Sequence, residues 1–122
     1  MTSRIDTWLD GLTLEERCRL LAGATSWRTH AVERLGIPVV KMSDGPNGVR
    51  GEHSDEARTP SVVVPVGIVQ GATWDPDLIG RLGDLLGREA RRKTSHVLLA
   101  PAINLHRTPI GGRTFEYLSE DP

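Results

Sequence analysis

The chain has a single cysteine, Cys18, among 122 residues. One thiol excludes an internal disulfide and excludes a zinc cluster built on thiolates. Charge bias is also missing: 15 Lys and Arg stand against 16 Asp and Glu, for a net charge of −1. A dedicated nucleic-acid binder carries a basic excess, so no nucleic-acid partner is expected. Long apolar runs are absent. The longest, "VVVPVGIV", is far too short to span a bilayer and contains a proline, so no membrane partner is expected either. The amino terminus, "MTSRIDTWLDGLTLEER", lacks the apolar centre of a signal peptide. Together these absences set the expectation of a soluble, cytoplasmic protein. Cofactor signals are missing as well. In "GRLGDLLGREARRK" glycines precede basic residues, but the spacing fits neither a dinucleotide fingerprint nor a P-loop. The four histidines, at 30, 53, 96 and 106, form no metal spacing. No cofactor and no metal are expected.

What is present is an alternation of elements. A chain of this length is first read as one domain, able to bury roughly two-thirds of its unfolded surface. "TLEE" at Thr13–Glu16 is a capping box, and Leu14, Cys18 and Leu21 recur at helical spacing, so a helix is expected over 14–22 with Gly23 as its left-handed cap. "IPVVKMSD" reads as a short buried strand whose first residues include Pro38. "GEHSDEART" is charged and aperiodic, which predicts a surface loop, and "SVVVPVG" is a second extended segment interrupted by proline. "TWDPDL" is a strong helix start: Asp75 caps, Pro76 takes the first helical position and Asp77 complements the dipole. Ile79, Leu82, Leu86 and Ala90 share one face, widened by Leu78 and Leu85, and "RRK" at 91–93 puts positive charge at the helix end. Gly80, Gly83 and Gly87 weaken this helix and are expected to be tolerated for close packing against a sheet. "HVLLAPAINL" follows as a strand of low polarity on both sides. The order helix, strand, polar loop, helix, strand, polar loop predicts an α/β chain with a parallel sheet.

Both polar loops follow a strand, and in α/β folds ligand sites lie at the carboxyl ends of strands. The first, "KMSDGPNGVRG", holds Asp44 and Arg50. Asp44 can accept hydrogen bonds from ligand hydroxyls, or it can cap its own turn. Arg50 and Arg113 are flanked by glycine or lie beside it, which places them in loops; solvent or a surface ion pair is the plain reading of such arginines. His106 lies beside Arg107 in the second loop, where it reaches a ligand or is satisfied within the fold. Glu116, Glu120 and Asp121 offer carboxylates whose separation in space sequence spacing does not give.

Taken in order, "SDGPNGVRGE", "ATWDPDLIGRLGDLLGREARRK" and "HVLLAPAINLHRTPIGGRTFEYLSEDP" resemble the amino-terminal part of glycoside hydrolase family 3, the β-glucosidase family. The resemblance runs from about residue 10 to the last residue. It implies a (β/α)8-type, TIM-like barrel followed by an α/β sandwich domain, and retaining hydrolysis with a barrel aspartate as nucleophile and a second-domain glutamate as acid/base. It implies that Asp44 and Arg50 bind hydroxyls of the terminal non-reducing sugar, that Arg113 lines the same subsite and that Glu116 supports this arginine. His106 is added as a second supporting residue on its loop position alone.

The resemblance also places the nucleophile, the acid/base and a Lys-His pair beyond residue 122, so no catalytic residue is assigned to this chain. A whole barrel takes about 250 residues. The expectation is therefore an incomplete barrel: residues 1–122 as the amino-terminal fragment of the catalytic domain of a retaining β-glycosidase. A β-glucosidase acting on terminal β-D-glucosyl residues is the leading reading. Its partners are a β-glucoside or related oligosaccharide and the missing remainder of the barrel and second domain. Two other readings stay open, a non-catalytic carbohydrate-binding or interaction module and a truncated product without function.

Overall fold

Ser3 and Thr13 each stand where extended backbone turns helical, and each has an acid three residues on. In the computed structural model, which describes residues 3–51 and 60–121, both form capping boxes. Ser3 Oγ accepts from the Asp6 amide at 3.1 Å while the Asp6 carboxylate accepts from the Ser3 amide at 2.9 Å. This opens α1, Arg4–Gly11. Thr13 Oγ1 accepts from the Glu16 amide at 3.2 Å, and the Glu16 carboxylate accepts from the Thr13 amide at 2.9 Å, opening α2, Leu14–Ala22. α2 has the expected bounds. Its apolar positions are not buried: Leu14 and Leu21 are 78% and 90% exposed. Gly23 has positive φ, at 75°, but its ψ of 151° is not left-handed helical. α1 buries no residue, although Ile5, Trp8 and Leu9 recur in it at helical spacing.

The chain divides into two compact units, Met1–Met42 and Ser43–Pro122. In the first, the Trp8 indole donates to the Leu35 carbonyl at 2.8 Å, and Arg34 donates to the Gly11 carbonyl at 2.8 Å while pairing with Glu16. These bonds hold a short 3-10 turn, Glu33–Leu35, against both helices. Isolated antiparallel bridges, Arg28 with Lys41 and Val32 with Ile37, fold the next segment back on itself. The strand expected over "IPVVKMSD" is therefore shortened to β1, Met42–Asp44. Pro38 has no N–H to give to a ladder, and Val40 exchanges bonds with Thr29. The Val40 amide donates to Thr29 Oγ1 at 2.8 Å and the Thr29 amide to the Val40 carbonyl at 3.0 Å.

In the second unit Asp75 caps α4, Pro76–Arg92, by accepting from the Leu78 amide at 2.9 Å. Leu86 and Ala90 on its apolar face pack with Val49 and Val64 into the core, joined by Leu82, Leu85 and Leu98. The helix glycines do not play the expected part. A Cβ at Gly80, Gly83 or Gly87 would meet no atom within 4 Å, so none of the three admits a close neighbour among the described residues. α4 ends in a Schellman motif: the Ser95 amide donates to the Ala90 carbonyl at 2.9 Å and the Thr94 amide to Arg91 at 3.0 Å, with Thr94 at φ 54°. The chain then enters β2, Val97–Leu99.

β1 and β2 form a two-stranded parallel sheet, so the α/β reading with parallel strands holds at that level. β2 is shorter than "HVLLAPAINL", and Pro101 just beyond it lacks a ladder donor. "SVVVPVG" carries no strand over 61–66, and its last residue, Gly67, begins a short helix, α3, Gly67–Gly71. α3 lies against a 3-10 turn, Thr114–Glu116, so closely that a Cβ on Gly67 would sit 2.1 Å from the Glu116 carbonyl oxygen. Residues 52–59, most of the expected charged loop, lie outside the described residues.

Candidate functional site

The turn after β1 is built by backbone and small side chains. The Arg50 amide donates to the Asp44 carbonyl at 3.0 Å, and the Gly51 amide to Ser43 Oγ at 2.9 Å. Ser43 is fully buried. Asn47 staples the turn to the segment before α3: its carbonyl accepts from the Val64 amide at 3.0 Å and its side chain donates to the Pro65 carbonyl at 3.1 Å. At Gly45, φ is 153° and a Cβ would fall 2.3 Å from the Gly48 carbonyl oxygen, so only glycine lets the chain double back so tightly. This tight construction leaves the Asp44 and Arg50 side chains on the outside of the turn.

Asp44 Oδ2 and Arg50 Nη1 are 3.5 Å apart, with 39% and 59% of their side-chain surfaces exposed. That is a loose pair, longer than a tight charge-assisted bond of about 2.7–2.9 Å, and it keeps acceptor and donor positions open. The two side chains line a cleft of about 570 Å³ together with Val63, Lys93, Phe115 and Glu116. Glu116, 8% exposed, is anchored in the cleft wall by the 3-10 turn. Its carboxylate accepts from Arg113 Nε. Arg113 is held above its usual pKa first by that hydrogen bond, then by the Glu116 charge, with a smaller contribution from Asp44. The second polar loop thus brings Arg113 into the field of Asp44, although the Arg113 side chain is mostly exposed and is not itself part of the cleft wall.

His106 is placed elsewhere. Its Nε2 donates to the Tyr117 carbonyl at 3.1 Å, its amide donates to the Ser119 carbonyl at 3.2 Å, and its ring lies 6.0 Å from that of Tyr117. It borders a different depression, with Ile68 and Trp74, and does not line the cleft of Asp44. Glu120 and Asp121 lie on that same second depression.

The cleft also contains a residue that sequence reading passed over. Lys93 is 3% exposed, and its Nζ donates to the Val49 carbonyl at 2.7 Å. In the sequence it is one more positive residue at a helix end. The available signal is its place directly before Thr94, where a helix stops without glycine and the next residues enter a strand.

No family model matches the chain. Sequence and structure comparisons do find relatives. A β-glucosidase of Rhizobium radiobacter is 53% identical over 118 residues, covering 97% of this chain and 14% of that protein. The crystal structure of a β-glucosidase from Kluyveromyces marxianus in complex with glucose matches with a TM-score of 0.91 at 42% identity, over 97% of this chain and 14% of that one. A GH3 β-glucosidase from Bifidobacterium adolescentis matches with a TM-score of 0.81 at 36% identity, over 93% of this chain and 16% of that one. The chain thus spans about 14% of the length of the curated relatives it matches, and aligns to their amino-terminal end. The chain belongs to glycoside hydrolase family 3, the β-glucosidase family, and corresponds to the amino-terminal part of its members.

Proposed function

We propose that this segment supplies part of the sugar-binding subsite of a retaining β-glucosidase, and that it does so as the first part of a (β/α)8-type barrel. The observation that carries the reading is the loose, half-exposed Asp44–Arg50 pair at the carboxyl end of β1, in one cleft with Glu116. A neutral sugar presents only hydroxyls, each both donor and acceptor. A carboxylate can accept from two neighbouring hydroxyls, and guanidiniums can donate to their oxygens. Asp44 takes the accepting role, and Arg50 and Arg113 the donating one. Glu116 holds Arg113 through Nε, and the mostly exposed Arg113 side chain keeps its other N–H groups available. His106 serves the fold through Tyr117 and is assigned no sugar contact.

The roles differ from catalysis proper. Retaining hydrolysis needs two carboxyl groups about 5–5.5 Å apart across the scissile bond, one as nucleophile and one as acid/base. In this reading both come from the rest of the family's architecture, and the present residues fix the ring that those groups attack. Contacts remote from the reacting carbon raise turnover when they strengthen in the transition state.

The test uses a hybrid in which this chain replaces the matching 118 residues of the Rhizobium radiobacter β-glucosidase. Nitrophenyl β-glucoside is compared with analogues that each lack one ring hydroxyl, in the parent hybrid and in Asp44→Ala. Where Asp44 binds a hydroxyl, removing that hydroxyl should cost the parent at least about tenfold in kcat/KM and the variant almost nothing. Equal losses for every analogue in both proteins would remove Asp44 from the subsite.

A further inference from the structure

We propose that Lys93 is a positioning residue for the sugar subsite: it sets the direction of Arg50 by holding the Val49–Arg50 peptide unit. The inference rests on the reading of Arg50 as a sugar-binding residue, but its structural basis is independent. A peptide unit is planar, so fixing its carbonyl and its N–H fixes its orientation and the start of the next side chain. Here both ends are held. The Val49 carbonyl accepts from Lys93 Nζ at 2.7 Å and from Ser61 Oγ at 2.8 Å. The Arg50 N–H of the same unit donates to the Asp44 carbonyl at 3.0 Å. Asp44 and Arg50 are thereby set against each other by one rigid plane.

Burial explains why a lysine matters here. Val49 is fully buried and Lys93 nearly so, and a hydrogen bond from a charged donor in such surroundings is stronger than one at the surface. In the last turn of α4 the Glu89 carboxylate, paired with Arg92 at 2.8 Å, also feels the Lys93 charge as a small contribution. The Schellman ending at Thr94 and Ser95 fixes where that turn stops, and so where the Lys93 stem enters the core. Lys93 lines the cleft with its Nζ donating to the Val49 carbonyl, and through that bond it acts on Arg50.

Two measurements test this. In the 122-residue chain itself, Lys93→Met should speed hydrogen exchange of the Arg50 amide by about tenfold or more while amides in the middle of α4, such as Leu86, change less than about twofold. Where Lys93→Met does not fold, Lys93→Gln, which keeps a polar end but shortens the reach, is read in the same way. In the hybrid enzyme, Lys93→Met should lower kcat/KM about tenfold, and should lower it by less than about twofold once Arg50 is already alanine. An Arg50 amide that exchanges no faster, or a full Lys93→Met effect in the Arg50→Ala background, overturns the proposal. Should Arg50→Ala and Asp44→Ala both leave kcat/KM unchanged, the subsite reading fails, and the amide-exchange result alone decides for or against Lys93.

Discussion

Asp44 shows how one residue can close a turn and still present its carboxylate to a cleft. Its carbonyl closes the turn by accepting from Arg50, while its carboxylate faces the Arg50 guanidinium across a half-exposed gap. The turn that permits this depends on Gly45. A methyl there would lie 2.3 Å from the Gly48 carbonyl oxygen, at a φ of 153°. Gly45→Ala should lower the unfolding free energy by about 1–3 kcal/mol, read as a shifted urea midpoint with unchanged slope. Glu116 makes a second residue-scale case. Its nearly buried carboxylate holds Arg113 by a charge-assisted bond. Glu116→Gln in the hybrid enzyme should weaken that hold and lower kcat/KM by roughly tenfold, the equivalent of about 1.4 kcal/mol. Asp44, Arg50 and Arg113 were singled out in the sequence by their place in glycine-bearing loops after apolar runs, and Glu116 through the family motif; the structure brings Asp44, Arg50 and Glu116 to one cleft. Lys93 was not singled out, because its one local signal, a place just before Thr94 at a helix end without glycine, does not by itself separate a buried lysine from a solvated one.

At the scale of elements, what was legible depended on how local its causes were. The starts of α2 and α4 were read correctly because a cap is made by residues three apart. Strand lengths were overestimated because a strand ends where its partner does. Val40 and Thr29 bond to each other, which no reading of "IPVV" alone reveals. α4 gives a direct prediction. Gly83 stands in the helix interior with open space where a Cβ would be. Gly83→Ala should raise stability by about 0.5–1 kcal/mol, measurable as a higher urea midpoint. The cap of α2 predicts a pH dependence. Hydrogen bonds from Arg34, then from the Thr13 amide, hold Glu16 at about 2, below its ordinary 4.5. A depressed carboxyl stabilises the fold above its unfolded value, and that stability is lost as pH falls from about 4.5 toward 2. The urea midpoint should fall across that window, and Glu16→Gln should flatten the dependence.

At the scale of the molecule, the parallel α/β character was legible from the alternation of elements, and the family from the order of its motifs. How much of a sheet the chain completes was not, because that depends on residues far apart in sequence. The described structure contains two paired strands, with Val97 and Leu99 of β2 41% and 47% exposed and Ile110 91% exposed. The 122-residue chain alone should hydrolyse no glycoside, since the reading places nucleophile and acid/base outside it, and a nitrophenyl β-glucoside assay checks this. The proposed role of Asp44 as a sugar ligand is tested most directly by kcat/KM of Asp44→Ala in the hybrid β-glucosidase, with folding confirmed by an unchanged unfolding midpoint. Loss of a charge-assisted pair of hydrogen bonds to the substrate predicts a fall of about 10² to 10⁴. A folded variant within about threefold of the parent would contradict the account and leave Asp44 as a turn residue only.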